Sequence, residues 1–170
     1  MQIPLVMTII GKDRTGLVES VARIVAEHDG NWLESRMCRL GDDFAGILRV
    51  HVPAAKRAAL EKNLTAIDGL SIVIRSDEGG ATVTILQLAT LEVFGHDRPG
   101  IVREFTGALA SQGVNVEELT TERTSAPMSG EPLFKATAKL SIPGGLAMGS
   151  LRQSLEQKLP GMTVEVSVRL

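Results

Sequence analysis

Two stretches of this chain carry the same polar residues in the same order. They are Gly11-Lys12-Asp13-Arg14-Thr15-Gly16-Leu17-Val18 and Gly95-His96-Asp97-Arg98-Pro99-Gly100-Ile101-Val102. Each follows an apolar run and precedes a segment with helical spacing, so each sits where a strand hands over to a helix. A helix N-terminus presents unpaired backbone N–H groups and a partial positive charge, which together suit a carboxylate or a phosphate. Gly16 and Gly100 remove the side chain where such a group would approach the backbone. Asp13 and Asp97 are placed to accept from helix N–H groups or to take a ligand ammonium. Asn31 and Asn115 open the next strand, and their amides can both donate and accept. The same residues also serve a purely structural turn, because Asp, Gly and Pro are what a tight capped turn uses.

The two stretches lie 84 positions apart, and the identity does not stop at the turn. In the same register Ala26 matches Ala110, Asn31 matches Asn115, Glu34 matches Glu118 and Arg39 matches Arg123, without a gap. A fixed offset of this kind is the mark of an internal duplication.

Each copy has the same order of elements. In the first, Ile3–Ile10 reads as a strand and Thr15–His28 as a helix with Leu17, Val18, Val21, Ile24, Val25 and His28 on one face. Trp32–Leu40 and Phe44–Val52 are strands around the turn signal Gly41-Asp42-Asp43. Pro53 suits the first turn of a second helix, with Leu60, Leu64 and Ile67 facing inward, and Leu70–Ser76 closes the copy as a strand. In the second copy the strands are Val83–Phe94, Asn115–Thr124, Leu133–Ile142 and Met162–Leu170. Its helices are Pro99–Gln112, with Ile101, Val102, Phe105 and Leu109 inward, and Ala147–Leu159. Val164, Val166 and Val168 alternate with polar residues, as expected of a sheet with one buried face.

The order β-α-β-β-α-β, twice, predicts an α+β protein of two tandem ferredoxin-like domains, each an antiparallel sheet with helices on one face. The domains are expected at residues 1–78 and 82–170, joined by the polar, Gly-rich Asp77-Glu78-Gly79-Gly80-Ala81. So short a link spans only ~3.5 Å per residue, which predicts that the domains pack against each other.

Composition narrows the function. The chain has 170 residues, 44% of them hydrophobic, but one Trp, four Phe and no Tyr, so base-stacking platforms are not expected. The formal charge of −2 and the lack of a basic run argue against direct nucleic-acid binding. Lys56, Arg57 and Lys62 read as the solvated face of a helix. The single cysteine, Cys38, excludes an intrachain disulfide, reads as a small core residue, and points to a cytoplasmic protein. The N-terminal apolar run reads as a strand rather than a signal peptide, and no window reaches the ~18 apolar residues of a membrane span. His28 reads as the end of a helix. The three histidines are not spaced for a metal, and no Ser-His-Asp grouping, P-loop or dinucleotide motif occurs. No metal and no cofactor are expected.

The segments GKDRTGLVESVARIVAEHDGNWLESRMCRLGDDFAG and GHDRPGIVREFTGALASQGVNVEEL resemble the ACT domain, a small-molecule sensing module. The mark is a D-x-P-G-like turn, an amphipathic helix, and G-x-N-like residues opening the second strand. The tandem arrangement resembles ACT-only regulators of the glycine cleavage repressor type. The resemblance implies a non-enzymatic regulator that binds a small amino acid, glycine or serine, at interfaces between ACT units, and that assembles as a homodimer. By position it implies ligand contacts from Asp13, Arg14, Gly16, Leu17 and Asn31, and from Asp97, Arg98, Gly100, Ile101 and Asn115. Thr15 departs from the pattern where Pro99 keeps it. With no DNA-binding element in view, a repressor of this kind would act by touching a protein such as a transcriptional activator. The loop Ser125–Glu131 has no counterpart in the first copy and reads as a cover for a ligand or partner, or as a plain surface loop. Two other readings stand beside this one. One is a pairing module that binds no ligand. The other is a hydrolase similar to acylphosphatases, with Arg14 and Asn31 in the working roles.

Overall fold

A computed structural model describes residues 1–77 and 86–168, and the chain divides into two compact units, Met1–Ala81 and Thr82–Leu170. The first unit contains β1 (Gln2–Lys12), α1 (Leu17–Glu27), β2 (Asn31–Leu40), β3 (Asp43–Pro53), α2 (Arg57–Thr65) and β4 (Leu70–Ser76). The second contains β5 (Leu86–His96), α3 (Ile101–Ser111), β6 (Asn115–Ser125), β7 (Pro132–Pro143), α4 (Met148–Lys158) and β8 (Thr163–Val168). The β-α-β-β-α-β order therefore occurs twice. Each sheet is antiparallel and four-stranded, ordered β2-β3-β1-β4 in one unit and β6-β7-β5-β8 in the other. Of the expected link, residues 78–81 lie outside the described residues, as do 83–85 of the expected fifth strand and Arg169 and Leu170 of the last.

The elements follow from residue spacing. In β1 the alternating Leu5, Met7 and Ile9 are fully buried, and in β3 so are Leu48, Val50 and Val52. In α1, Leu17, Val21, Ile24 and Val25 form one buried stripe; Ile101, Phe105, Ala108 and Leu109 repeat it in α3. Each unit closes around its own apolar cluster. Burial of such a side chain contributes roughly 1.5–3 kcal/mol. Gly11 lets β1 close against the start of β4: a Cβ there would stand 2.2 Å from the Gly69 carbonyl oxygen.

The buried stripes are narrower than the apolar spacing predicts. Val18 is 43% exposed and Val102 39% exposed, because each sits one step beyond the arc that meets the sheet. Cys38 is exposed rather than in the core: β2 turns Met37 inward, and the period of two then turns Cys38 outward. Pro53 ends β3 instead of entering the helix, and a 3-10 turn at Ala54–Lys56 intervenes before α2. Ile67 lies beyond α2 but packs against the core. The alternation in β8 loses burial along the strand, from Val164 at 3% to Val168 at 42% exposed. His28 is buried after α1, where its Nδ1 donates to the Ile24 carbonyl (2.8 Å) and its Nε2 faces Asn63 Nδ2 (3.2 Å). Lys56 pairs with Asp29, and Arg57 with Glu61 and Ser76.

Candidate functional site

The repeated turn has one backbone shape in both units. Gly16 precedes α1 with φ 88° and ψ 4°, and Gly100 precedes α3 with φ 92° and ψ −6°. Both are left-handed, a region that costs other residues roughly 1–2 kcal/mol. A Cβ on Gly16 would meet nothing within 4 Å, so conformation and not crowding selects glycine there. Neither helix N-terminus has a side-chain cap. The aspartates that could cap are engaged elsewhere. The Asp13 and Asp97 main-chain N–H groups donate to the Asp42 and Pro132 carbonyls, each at 2.9 Å. Their carboxylates face arginines: Asp97 Oδ2 accepts from Arg123 Nε at 2.7 Å, and Asp13 Oδ2 lies 3.2 Å from Arg39 Nε, which also donates to the Gly41 carbonyl. So each turn is tied to the end of the neighbouring hairpin, by the backbone and by an ion pair.

The turn arginines part company. Arg14 Nη2 donates to the Asp68 carbonyl at 3.1 Å, reaching the loop after α2. Arg98 instead folds onto its own helix and makes two hydrogen bonds to Glu104, at 2.8 and 2.5 Å. That contact holds the Glu104 carboxyl below the ordinary carboxylate range, against a smaller opposing effect of desolvation. The position equivalent to Glu104 in the first unit is Ser20, whose hydroxyl donates to the Gly16 carbonyl and offers an arginine no carboxylate.

Leu17 and Ile101 are each 2% exposed and point into the cores, which leaves only their main chain to a ligand. Asn31 and Asn115 do not join the turns within their units. Asn31 stands opposite His51, which pairs with Pro4 near the start of β1, while the turn follows Lys12 eight residues further along. At about 3.4 Å per residue the separation is roughly 27 Å. Asn115 shares that fate: it pairs with Ser141, which faces Leu88, eight residues before His96. The helix between turn and second strand carries the chain back to the opposite end of the sheet. For the same reason the Arg14–Asn31 pair that an acylphosphatase-like reaction would use is not formed. Asn115 Nδ2 instead donates to Glu117 Oε1 at 2.6 Å, beside the hydroxyl of the buried Ser141, also at 2.6 Å. These two donors, Ser141 first, hold the Glu117 carboxyl below the ordinary range.

Sequence reasoning singled out neither Arg39 nor Arg123 as site residues, although both lay in the match at an offset of 84 and carried the signal. Glu104 and Glu117 had no such signal. The loop that follows β6 is closed on itself by Ala126 N–H to Glu131 O (2.8 Å) and Gly130 N–H to Ala126 O (2.9 Å). Its stem borders the second turn, where His96 Nδ1 lies 3.7 Å from Glu131 Oε2. Among the described residues no group of three or more His, Cys, Asp or Glu is placed to hold a metal, and no helix is long and apolar enough to cross a membrane.

Residues 4–68 and residues 89–134 each match the ACT domain family. Over 78 residues the chain is 30% identical to a UPF0237 protein of Methanocaldococcus jannaschii, covering 43% of this chain and 87% of that one. An unknown protein from Galdieria sulphuraria superposes with a TM-score of 0.89 over 100% of both chains, at 27% identity. A solved protein provisionally assigned as a glycine cleavage system transcriptional repressor has the same fold, with a TM-score of 0.72 over 99% of this chain and 98% of its own, at 18% identity.

Proposed function

This chain belongs to the ACT-domain family, and from that premise we propose that it is a non-enzymatic regulator. It binds a small amino acid, glycine or serine, and thereby alters its contact with a partner protein. The carrying observation is that both repeated turns open a helix N-terminus that no side chain caps. The carboxylate of an amino acid is matched by those N–H groups and by the positive end of the helix. The ammonium is matched by the outer lone pairs of Asp13 or Asp97, each already held in place by its arginine.

The roughly 27 Å between turn and asparagine within a unit bears on assembly. Where Asn31 or Asn115 contributes to the same ligand, another ACT unit supplies it, and a homodimer is proposed because it brings four such units together. The likeness to the repressor supports a place in transcriptional control of glycine cleavage, in the cytoplasm, exerted through an activator protein rather than on DNA. A ligand that binds one folded conformation better than another shifts the population towards it, and that is how ligand and partner contact become linked.

Thermal unfolding of the chain across the common amino acids tests this, followed by calorimetry on any hit. A hundredfold excess over the dissociation constant adds about 2.7 kcal/mol of stability. The expected result is a shift confined to one or two small amino acids and lost in Asp97→Ala or Asp13→Ala. No shift at millimolar ligand overturns the sensor. One observation favours a second reading, a pairing module without a ligand: the arginines that hold Asp13 and Asp97 also satisfy them within the unit.

A further inference from the structure

The repeated arginine has opposite effects on the same corner of the two units. Where the N-terminus of one helix meets the C-terminal end of the other, Arg14 crosses to the Asp68 carbonyl in the first unit. In the second unit Arg98 is drawn away by Glu104, and the corner holds a concavity of about 490 Å³. Gly100, Arg103, Glu104 and Gly107 of α3 line it, together with Lys158 from the last turn of α4. Arg103 and Lys158 form no ion pair among the described residues. Glu104 is ionised, and the Arg98 guanidinium that grips both its oxygens offsets its charge.

Gly107 is an exposed residue of that lining. It lies in the interior of α3, where glycine weakens a helix, and a Cβ there would meet nothing within 4 Å. Among the described residues no packing calls for it. Its first-unit counterpart is Arg23, which covers the equivalent face of α1 with ion pairs to Glu19 (3.7 Å) and Glu27 (3.0 Å). The duplication therefore set the ion-paired Arg23 on the helix face of one copy and Gly107, beside an open hollow, on that of the other.

We propose that this hollow is a binding site for a small oxyanion-bearing molecule, separate from the Asp97–Arg123 end of the turn. The anion lies over Gly107, between the Arg103 guanidinium and the Lys158 ammonium. The hollow is open to solvent, and its volume of about 490 Å³ admits a small molecule. Carboxylates and phosphates share the chemistry that these groups recognise, and the experiment separates them.

The test is a titration of the whole chain with inorganic phosphate and, separately, with succinate, followed by backbone amide shifts in NMR. The expected result is saturable movement of the 100–111 amides with one or both probes. The stronger probe names the class of anion. Lys158→Gln should weaken binding about tenfold, the 1.4 kcal/mol of one lost charge contact. Gly107→Glu should abolish it, since the new carboxylate occupies the hollow and the helix gains rather than loses propensity. Absence of saturable movement with either probe overturns the proposal. So does binding that survives both substitutions unchanged.

Discussion

Arg123 Nε donates to Asp97 Oδ2 at 2.7 Å, and 84 residues earlier Arg39 Nε stands 3.2 Å from Asp13 Oδ2. Duplication thus kept a relation between two residues on different elements, a turn and a strand end. Arg123 is 68% exposed and Asp97 28%, so the pair is screened by solvent. A double-mutant cycle over Asp97→Ala and Arg123→Ala, read by urea unfolding, should give a coupling of about 0.2–1 kcal/mol. Both variants stay folded, and the loss of ligand response in Asp97→Ala can therefore be read separately from stability.

The glycine before α3 and the glycine inside it should respond in opposite directions to alanine. Gly100→Ala forces a Cβ into a φ of 92° and should cost about 1–2 kcal/mol. Gly107→Ala meets open space in an ordinary helical conformation and should add about 0.5–1 kcal/mol. Denaturant midpoints of the two variants, at unchanged slope, check both signs at once.

Among the described residues Asp29 is the non-glycine residue with positive φ, 55°, and its counterpart by the repeat is Gly113, at 71°. Asp29→Gly should relieve left-handed strain worth about 1 kcal/mol while losing an exposed pair with Lys56 worth less. Its thermal midpoint should rise slightly. A fall would mean that the Lys56 contact outweighs the backbone.

Glu117 supplies a pH dependence with a definite sign. Hydrogen bonds from Ser141 and Asn115 lower its carboxyl in the folded state. The folded state therefore favours the ionised form. That stability is present above the unfolded carboxylate value of about 4.3 and is lost as pH falls through the lower folded value. Glu117→Gln and Ser141→Ala should each flatten the acid limb of the midpoint-against-pH curve below about pH 5. Because Glu117 is exposed, the change is small, and its sign is the point of the measurement.

Much of this architecture was legible because spacing encodes it. Leu70–Ser76 is a strand in the sequence reading and in the structure, bounded by Gly69 and by the polar link. The match at an offset of 84 located both turns and both left-handed glycines. What spacing hides is which end of the sheet a residue occupies. Asn31 lies close to Gly16 in sequence, yet α1 runs for 11 residues, about 16 Å, back along the sheet. Nor does apolar spacing fix the width of a buried stripe, as Val18 and Val102 show. Cys38 was misplaced for a different reason: its side is set by the register of β2 relative to Met37, not by its apolar neighbours. The engagement of Arg98 by Glu104 depends on a side-chain conformation that no residue spacing specifies.

The backbone tie of each turn to its hairpin has a spectroscopic consequence. The Asp13 and Asp97 amides sit in turns at the surface, but each is bonded to a carbonyl across the gap, of Asp42 in one unit and of Pro132 in the other. Their hydrogen exchange is therefore slow for loop amides, and it speeds up only when turn and hairpin separate. The two protons resonate independently. Their exchange rates give a separate clock for each copy, and a ligand that engages one turn alone should slow one clock and leave the other running.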